Sequence, residues 1–305
     1  MRSRNLALIK LTCISVITLS FCIESFAQDK QIESLIKALE HAKKPADNMR
    51  VKFTKERDAS SPSGTLGKQI EREPASHYLF DYNITISGIR SKIESDTSFF
   101  KTETDSQPYD ITKEIEISDG TYIKSLTWKP NQNDFPNLGS QKLADIDNSD
   151  ISYRIYGWPM DITKVFYKNP SSFSLASSED PNIYILEIRD AALHRVYIDS
   201  EKNFNIVKWQ TLNPEEDIPM CELNYKFKQT NDGIWYPSEY QTLFSSPLSS
   251  GERSSLKVAE KVKIHSAEFN IDIPEDTFTL EFPVGTRVRD KFIGGRYIVS
   301  DSNSP

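Results

Sequence analysis

This 305-residue chain is poor in cysteine, and that scarcity excludes a disulfide framework. It has three cysteines, of which Cys13 and Cys22 lie within the first 27 residues and only Cys221 lies beyond them. A lone cysteine cannot form an intramolecular disulfide. The residues around it alternate between apolar and polar side chains as in a strand, so we expect Cys221 to be a small buried apolar residue.

Basic residues are also fewer than acidic residues. The chain has 37 Lys and Arg against 44 Asp and Glu, which gives a formal net charge of −7. This balance argues against nucleic acid as a partner, because binding to phosphate backbones depends on cationic side chains. It argues equally against electrostatic attachment to anionic lipid. Any lipid-derived partner is therefore expected to be held by apolar surface.

The common catalytic and metal-binding motifs are absent. The four histidines are not at metal-ligand spacing, and there is no HExxH, Gly-x-Ser-x-Gly or Gly-rich phosphate loop. The acidic run 145–150 begins like a calcium loop, but Asp150 stands where that loop needs glycine and Tyr156 where it needs glutamate. We predict a non-enzymatic protein with no catalytic residue, no metal and no cofactor. A cell-envelope hydrolase with paired carboxylates stays an alternative.

Only the first 27 residues contain a long apolar run, and their pattern is typical of a secretory signal peptide. A basic start is followed by the apolar run 11–23 and by small residues that end at Ala27. The run is shorter than the roughly twenty residues of a membrane-spanning helix. Cys22 follows the large Phe21, which disfavours a lipidated cysteine. We predict a signal peptide at 1–27, one domain at 28–305, and secretion across the inner membrane into the periplasm.

The rest of the chain has the patterns of one helix and many strands. Residues 28–44 place Ile32, Leu35, Ile36 and Leu39 at helical spacing. After them the apolar period is mostly two, with short polar turns such as Asp119-Gly120, and predicts about ten or eleven antiparallel strands. Alternation fails over 145–182, where we expect a mobile loop and a short helix. The fold class is mainly β (α+β): one large antiparallel sheet curled into a half-open β-barrel, covered by the N-terminal helix and a mid-chain helix/loop lid.

Large apolar side chains on these strands are predicted to share one face of the sheet. That face is either an ordinary core beneath the helices or a partly lined cavity for an acyl chain, and both can hold at once. The candidate ligand-binding residues are Tyr78, Phe80, Tyr82, Ile84, Tyr122, Leu126, Trp128, Leu223, Tyr225 and Phe227.

The order of motifs resembles the LolA/LolB-like outer-membrane lipoprotein-sorting carriers. The chain has Arg72-Glu73-Pro74 before the first aromatic strand, a hairpin over 116–131, a late hairpin over 196–209 and a closing strand over 278–288. The resemblance implies an incomplete antiparallel barrel whose apolar cavity takes the acyl chains of a lipoprotein or lipid. It also implies that Arg72 latches the lid.

Two further expectations accompany the carrier hypothesis. The protein is expected to be a monomer that is not integral to the membrane. The chain is longer than the small carriers, partly through the hairpins over 225–264. An envelope sensor or scaffold that binds a protein partner through those extra hairpins is therefore the alternative function.

Overall fold

The computed structural model describes residues 28–42, 48–58, 77–102, 104–132, 136–144, 160–213, 217–245 and 255–301. The predicted signal peptide, Arg72 and the loop 145–159 lie outside these residues. The described part of the chain forms one 15-stranded sheet and two helices. Neither helix is long or apolar enough to cross a bilayer.

The helices are α1, within residues 28–42, and α2 (Ile162–Lys168). The strands are β1 (Asn48–Asp58), β2 (His77–Ser87), β3 (Arg90–Phe100), β4 (Asp110–Ser118), β5 (Tyr122–Trp128), β6 (Leu138–Leu143), β7 (Phe173–Ala176), β8 (Ile183–Arg189), β9 (Leu193–Asp199), β10 (Asn205–Leu212), β11 (Pro219–Gln229), β12 (Trp235–Phe244), β13 (Lys257–Phe269), β14 (Arg287–Asp290) and β15 (Gly295–Ile298).

The prediction of a mainly β, curled and unclosed sheet is confirmed. The strand order is β15-β14-β6-β5-β4-β3-β2-β1-β13-β12-β11-β10-β9-β8-β7. Neighbours in this order are antiparallel except β6 and β14, which are parallel. The hairpins over 225–264 are not an appendage, since β12 and β13 are paired along both edges near the middle of the sheet.

Some strands were not predicted because their sequences do not alternate. β3 reads RSKIESDTSFF, and only Ser91 and Ile93 of it are fully buried. Polar side chains on both of its faces hide the period of two that identifies a half-buried strand. Its place between β2 and β4 shows that pairing on both edges compensates for weak patterning.

The main core lies on one side of the sheet, beneath both helices. The buried apolar residues of α1 pack against the part of the sheet that runs in spatial order β3-β2-β1-β13-β12-β11-β10-β9-β8-β7. They are Ile32, Leu35, Ile36 and Leu39. Asp161 caps α2, since its Oδ1 accepts hydrogen bonds from the amides of Thr163 at 3.1 Å and Lys164 at 3.3 Å. We call the side of the sheet that packs against the two helices the helix face, and the opposite side the outer face.

A second, smaller core lies on the outer face. It contains Ile117 of β4 with Ile273 and Phe278 from the segment that follows β13. Ile117 is paired with Lys92, whereas the neighbouring Ile93 points to the helix face and is paired with Ile84. The buried side of the sheet therefore changes at β4.

Candidate functional site

The structure divides the ten predicted ligand-binding residues between the two faces. Leu126 is opposite Ile115 of the second core, and alternation carries Tyr122 and Trp128 to the same outer face. The expectation of a single shared face is therefore wrong for Tyr122, Leu126 and Trp128. Register and alternation place the others on the helix face: Tyr78, Phe80, Tyr82, Ile84, Leu223, Tyr225 and Phe227.

Several residues on the helix face belong to the interior of the main core and present no surface. Ile84, Leu223 and Tyr225 are buried there, and Phe227 packs against them. Tyr82 is a partly buried side chain at the edge of this core. Beyond Tyr82 along β2, Phe80 and Tyr78 are half-buried and are not part of the core cluster.

Tyr78, Phe80 and Tyr82 form what we call the aromatic ladder. Adjacent rings are stacked, with centroids 6.2 Å apart between Tyr78 and Phe80 and 6.1 Å apart between Phe80 and Tyr82. Their spacing follows from the strand, because every second residue projects from the same face. A half-buried row of parallel rings presents apolar surface that extends the main core.

Neighbouring strands widen this surface. Phe53 of β1 stacks on Tyr82 with centroids 4.7 Å apart, and Phe99 of β3 meets Tyr78 edge-on at 5.5 Å. Phe53 and Phe99 were not among the predicted residues. The cross-strand pairs between β1 and β2 and between β2 and β3 bring them there, and a single sequence does not reveal that pairing.

An ionic cluster borders the ladder. Lys55 is paired with Phe80 and Arg57 with Tyr78 across the strands, and both cations reach Glu260 of β13. Lys55 Nζ lies 2.9 Å from Glu260 Oε2, and Arg57 Nε lies 3.7 Å from Glu260 Oε1. Two cations and one carboxylate leave one positive charge beside the rings. The site is thus amphipathic.

The core beside the ladder contains groups that stay uncharged. The hydroxyl of Tyr225 is buried without a hydrogen-bond partner, and burial raises its pKa well above the usual value. Burial also raises the pKa of the Cys221 thiol to about 12. A thiol with that pKa is protonated at neutral pH and is a poor nucleophile. Cys221 is only partly buried, and it packs against the main core.

His194 of β9 is a buried side chain at the centre of a hydrogen-bond network with β10 and the turn before β9. Its Nε2 lies 3.3 Å from Asp190 Oδ1, and its Nδ1 lies 3.0 Å from Thr211 Oγ1 and 3.4 Å from Trp209 Nε1. Because an indole N–H only donates, Nδ1 is the acceptor and Nε2 carries the proton. Burial lowers the pKa of His194, and the nearby Asp190 carboxylate opposes that shift. We interpret this network as structural, since the fully buried Trp209 fills the space beside Nδ1.

The depressed pKa of His194 predicts a loss of stability at acidic pH. The unfolded chain binds a proton on this histidine below about 6.5 while the folded protein resists doing so. The contribution of His194 to stability is therefore complete above the unfolded pKa and is lost as the pH falls towards the folded pKa. Urea unfolding at a series of pH values should show a shallower acid-side decline for His194→Gln than for the parent. His41→Gln, at an exposed position of α1, is the control and should follow the parent.

Among the described residues, no group of three or more His, Cys, Asp and Glu side chains is arranged to hold a metal ion. Shallow cavities lie on the described surface. The one closest to the ladder measures about 370 Å³, and Phe53 and Tyr82 form part of its wall together with polar residues of the outer face. A second cavity of about 420 Å³ is lined mainly by charged residues around Glu56, Arg57 and Glu260.

Comparison with known proteins gives no assignment. No family model matches the chain, and no curated protein does. A solved structure of PNGF-II aligns with 80% of this chain and 32% of its own, at 6% identity and a TM-score of 0.22. The chain thus spans about a third of the PNGF-II chain. Similarity at this level supports no inference about fold or function. The resemblance to LolA/LolB-like carriers therefore stays a prediction.

Proposed function

We propose that the protein is a non-enzymatic binding protein for the acyl chains of a lipid or lipoprotein, which it holds along the aromatic ladder. The observation that carries the proposal is the half-buried row Tyr78, Phe80 and Tyr82, which continues the main core past its last fully buried residues. A bound chain would complete that core. Localisation in the periplasm belongs to the same proposal and follows from the predicted signal peptide. Transport between membranes also belongs to it and follows from the resemblance to the LolA/LolB-like carriers.

The energetics favour a long apolar ligand over a small polar one. Each methylene moved from water to an apolar surface contributes about 0.8 kcal/mol. The ladder is flanked by Phe53 and Phe99, so several methylenes of one chain can contact rings at once. Lys55 and Arg57 stand at the border of the apolar surface, where the polar end of an amphiphile would lie.

A pair of matched variants tests the proposal. Phe80→Asp places a charge in the middle of the ladder, and Trp128→Asp makes the same change at a half-buried aromatic residue on the outer face. We expect Phe80→Asp to weaken binding of a fluorescent fatty acid at least tenfold, because burying one aromatic side chain is worth about 1.5–3 kcal/mol. Trp128→Asp should bind like the parent.

Two outcomes of that titration contradict the proposal. One is equal affinity of the parent and Phe80→Asp, and the other is an equal loss in both variants. Circular dichroism and the urea midpoint of each variant must show that the comparison is made between folded proteins.

The alternative of a scaffold that binds a protein through 225–264 has less support. Tyr240, Val262 and Ile264 of this region are buried in the main core. Removal of β12 and β13 would separate β1 from β11 and expose both edges. We therefore expect that deletion to abolish folding, so it cannot separate lipid binding from protein binding.

A further inference from the structure

The hairpin of β14 and β15, which we call the terminal hairpin, carries a cluster of arginines at one end of the sheet. Arg287 and Arg289 of β14 and Arg296 of β15 project from the same side, and Arg289 is paired directly with Arg296. All three are exposed, and within the described residues none of them forms an ion pair. Like charges directly opposite each other destabilise a strand pair. Such an arrangement is expected where an external anion supplies the compensating charge.

The turn of the terminal hairpin, between the two strands that carry these cations, presents exposed apolar side chains. Ile293 is 73% exposed and Phe292 is 41% exposed. Asp290 Oδ1 accepts hydrogen bonds from the amides of Phe292 at 2.7 Å and Ile293 at 3.3 Å, which fixes the turn. Gly294 follows with a φ of +66°, a conformation that glycine adopts without strain. The two apolar side chains are thus presented by an ordered turn.

The sheet holds the turn in place. The amide of Lys291 donates to the carbonyl of Gln141 in β6 at 2.9 Å, and the ring of Phe292 meets Tyr122 with centroids 5.0 Å apart. Leu143, the partner of Tyr122 in β6, is also exposed on the outer face, so Phe292 extends an exposed apolar surface there. The arginines project from the opposite face, so the tip of the terminal hairpin has apolar side chains on one side and cations on the other.

We propose that the terminal hairpin docks the protein on an anionic lipid surface. The arginines would bind headgroup phosphates, whose geometry suits the planar guanidinium. Ile293 and Phe292 would enter the interface between headgroups and acyl chains, as the apolar face of a peripheral membrane segment does. A hairpin tip with cations on one side and exposed apolar side chains on the other fits a lipid surface that it enters end-on. A soluble polyanion would offer the apolar residues nothing to enter.

The net charge of the chain does not oppose this docking. The value of −7 is summed over the whole sequence. At physiological ionic strength, charges more than a Debye length of about 8 Å from a lipid surface interact with it only weakly. Asp290, the carboxylate nearest to the cluster in sequence, accepts hydrogen bonds from the turn amides. The expectation that net charge excludes electrostatic attachment to anionic lipid therefore does not apply to this corner.

Vesicle co-sedimentation tests the docking surface. We expect the protein to sediment with vesicles that contain phosphatidylglycerol and not with vesicles of phosphatidylcholine alone. A cation close to an anionic membrane contributes about 1 kcal/mol, so Arg289→Gln with Arg296→Gln should weaken partitioning about tenfold or more. The control is Lys228→Gln with Lys257→Gln, which removes the same charge from exposed positions elsewhere. This control should sediment like the parent.

A further variant separates a lipid surface from an acidic polypeptide. Ile293→Ser should weaken sedimentation at unchanged net charge, because only a lipid interior rewards an apolar side chain. The proposal is overturned if the parent does not bind phosphatidylglycerol vesicles, or if both double variants lose binding equally. It is also overturned if Ile293→Ser binds like the parent, a result that would favour an acidic polypeptide.

Failure of this surface is distinguishable from failure of the acyl-binding proposal. The variant with Arg289→Gln and Arg296→Gln leaves the aromatic ladder unchanged and should bind the fluorescent fatty acid as the parent does. Conversely, Phe80→Asp should sediment with anionic vesicles as the parent does.

Discussion

Replacement of Trp209 by alanine is expected to lower the free energy of unfolding by about 3–5 kcal/mol, as is typical of large-to-small changes at fully buried aromatic residues. The side chain of Trp209 is 0% exposed and is among the largest fully buried side chains of the described chain. It is paired with Val196 of β9 and Leu223 of β11, so the cavity would lie between strands on both sides. Its indole N–H also donates towards His194.

Urea denaturation measures this loss, with Trp235→Ala as the control. Trp235 is half-buried at the start of β12, where truncation leaves no closed cavity, so its loss should be much smaller. Equal destabilisation by the two substitutions would show that Trp209 is not a central support of the main core.

A methyl group at Gly139 is expected to displace the segment that follows β13. A Cβ atom there would lie 2.9 Å from the ring of Phe282 and 3.1 Å from Val288 of β14. Overpacking of this kind costs about 1–3 kcal/mol. Because the added methyl group would clash with Val288 of β14, Gly139→Ala should increase amide exchange in β14 and β15 far more than in β8 to β10. It should also weaken sedimentation with anionic vesicles.

Gly295→Ala is the matched control for this substitution. A Cβ atom at Gly295 would meet Ile293 at 3.5 Å, an ordinary van der Waals contact. Hydrogen exchange that rises equally in both variants, or in neither, would contradict the close packing of β6 against the segment 278–288.

The sequence was sufficient to predict the two helices and those strands whose apolar side chains alternate, since the helical period and the period of two are local. It was not sufficient to predict which face each strand buries. Val51 is opposite Ala267 but Phe53 is opposite Ile264, because a bulge between Lys52 and Phe53 shifts the register by one residue. Because β13 has one extra residue at the bulge, each side chain beyond it lies on the face opposite to the one that strict alternation predicts.

The same limit explains the divided ligand face. Tyr82 and Trp128 both lie in strands with aromatic alternation, yet a sequence gives no sign that the segment 271–288 covers β4 and β5 from the outer side. Ile117, Ile273 and Phe278 meet there across a long separation in sequence. Long-range pairings of this kind follow from the packing of the whole sheet and not from a local pattern.

The candidate site was therefore predicted only in part. The ladder itself is visible in Tyr78, Phe80 and Tyr82, because it lies within one strand. Phe99 could not be assigned to it, since β3 was not recognised as a strand and its pairing with β2 was unknown. The pair of Arg289 and Arg296 was not predicted either, because the pairing of β14 with β15 was unknown. The negative net charge of the chain also gave no indication of a local cluster of cations.

The most direct test of the account is native mass spectrometry of the protein purified from its native cells, followed by extraction of any bound lipid. The account predicts an additional mass that carries acyl chains in the parent and in Trp128→Asp, and its loss in Phe80→Asp. An unliganded parent, or a Phe80→Asp variant that retains the additional mass, would contradict binding along the aromatic ladder.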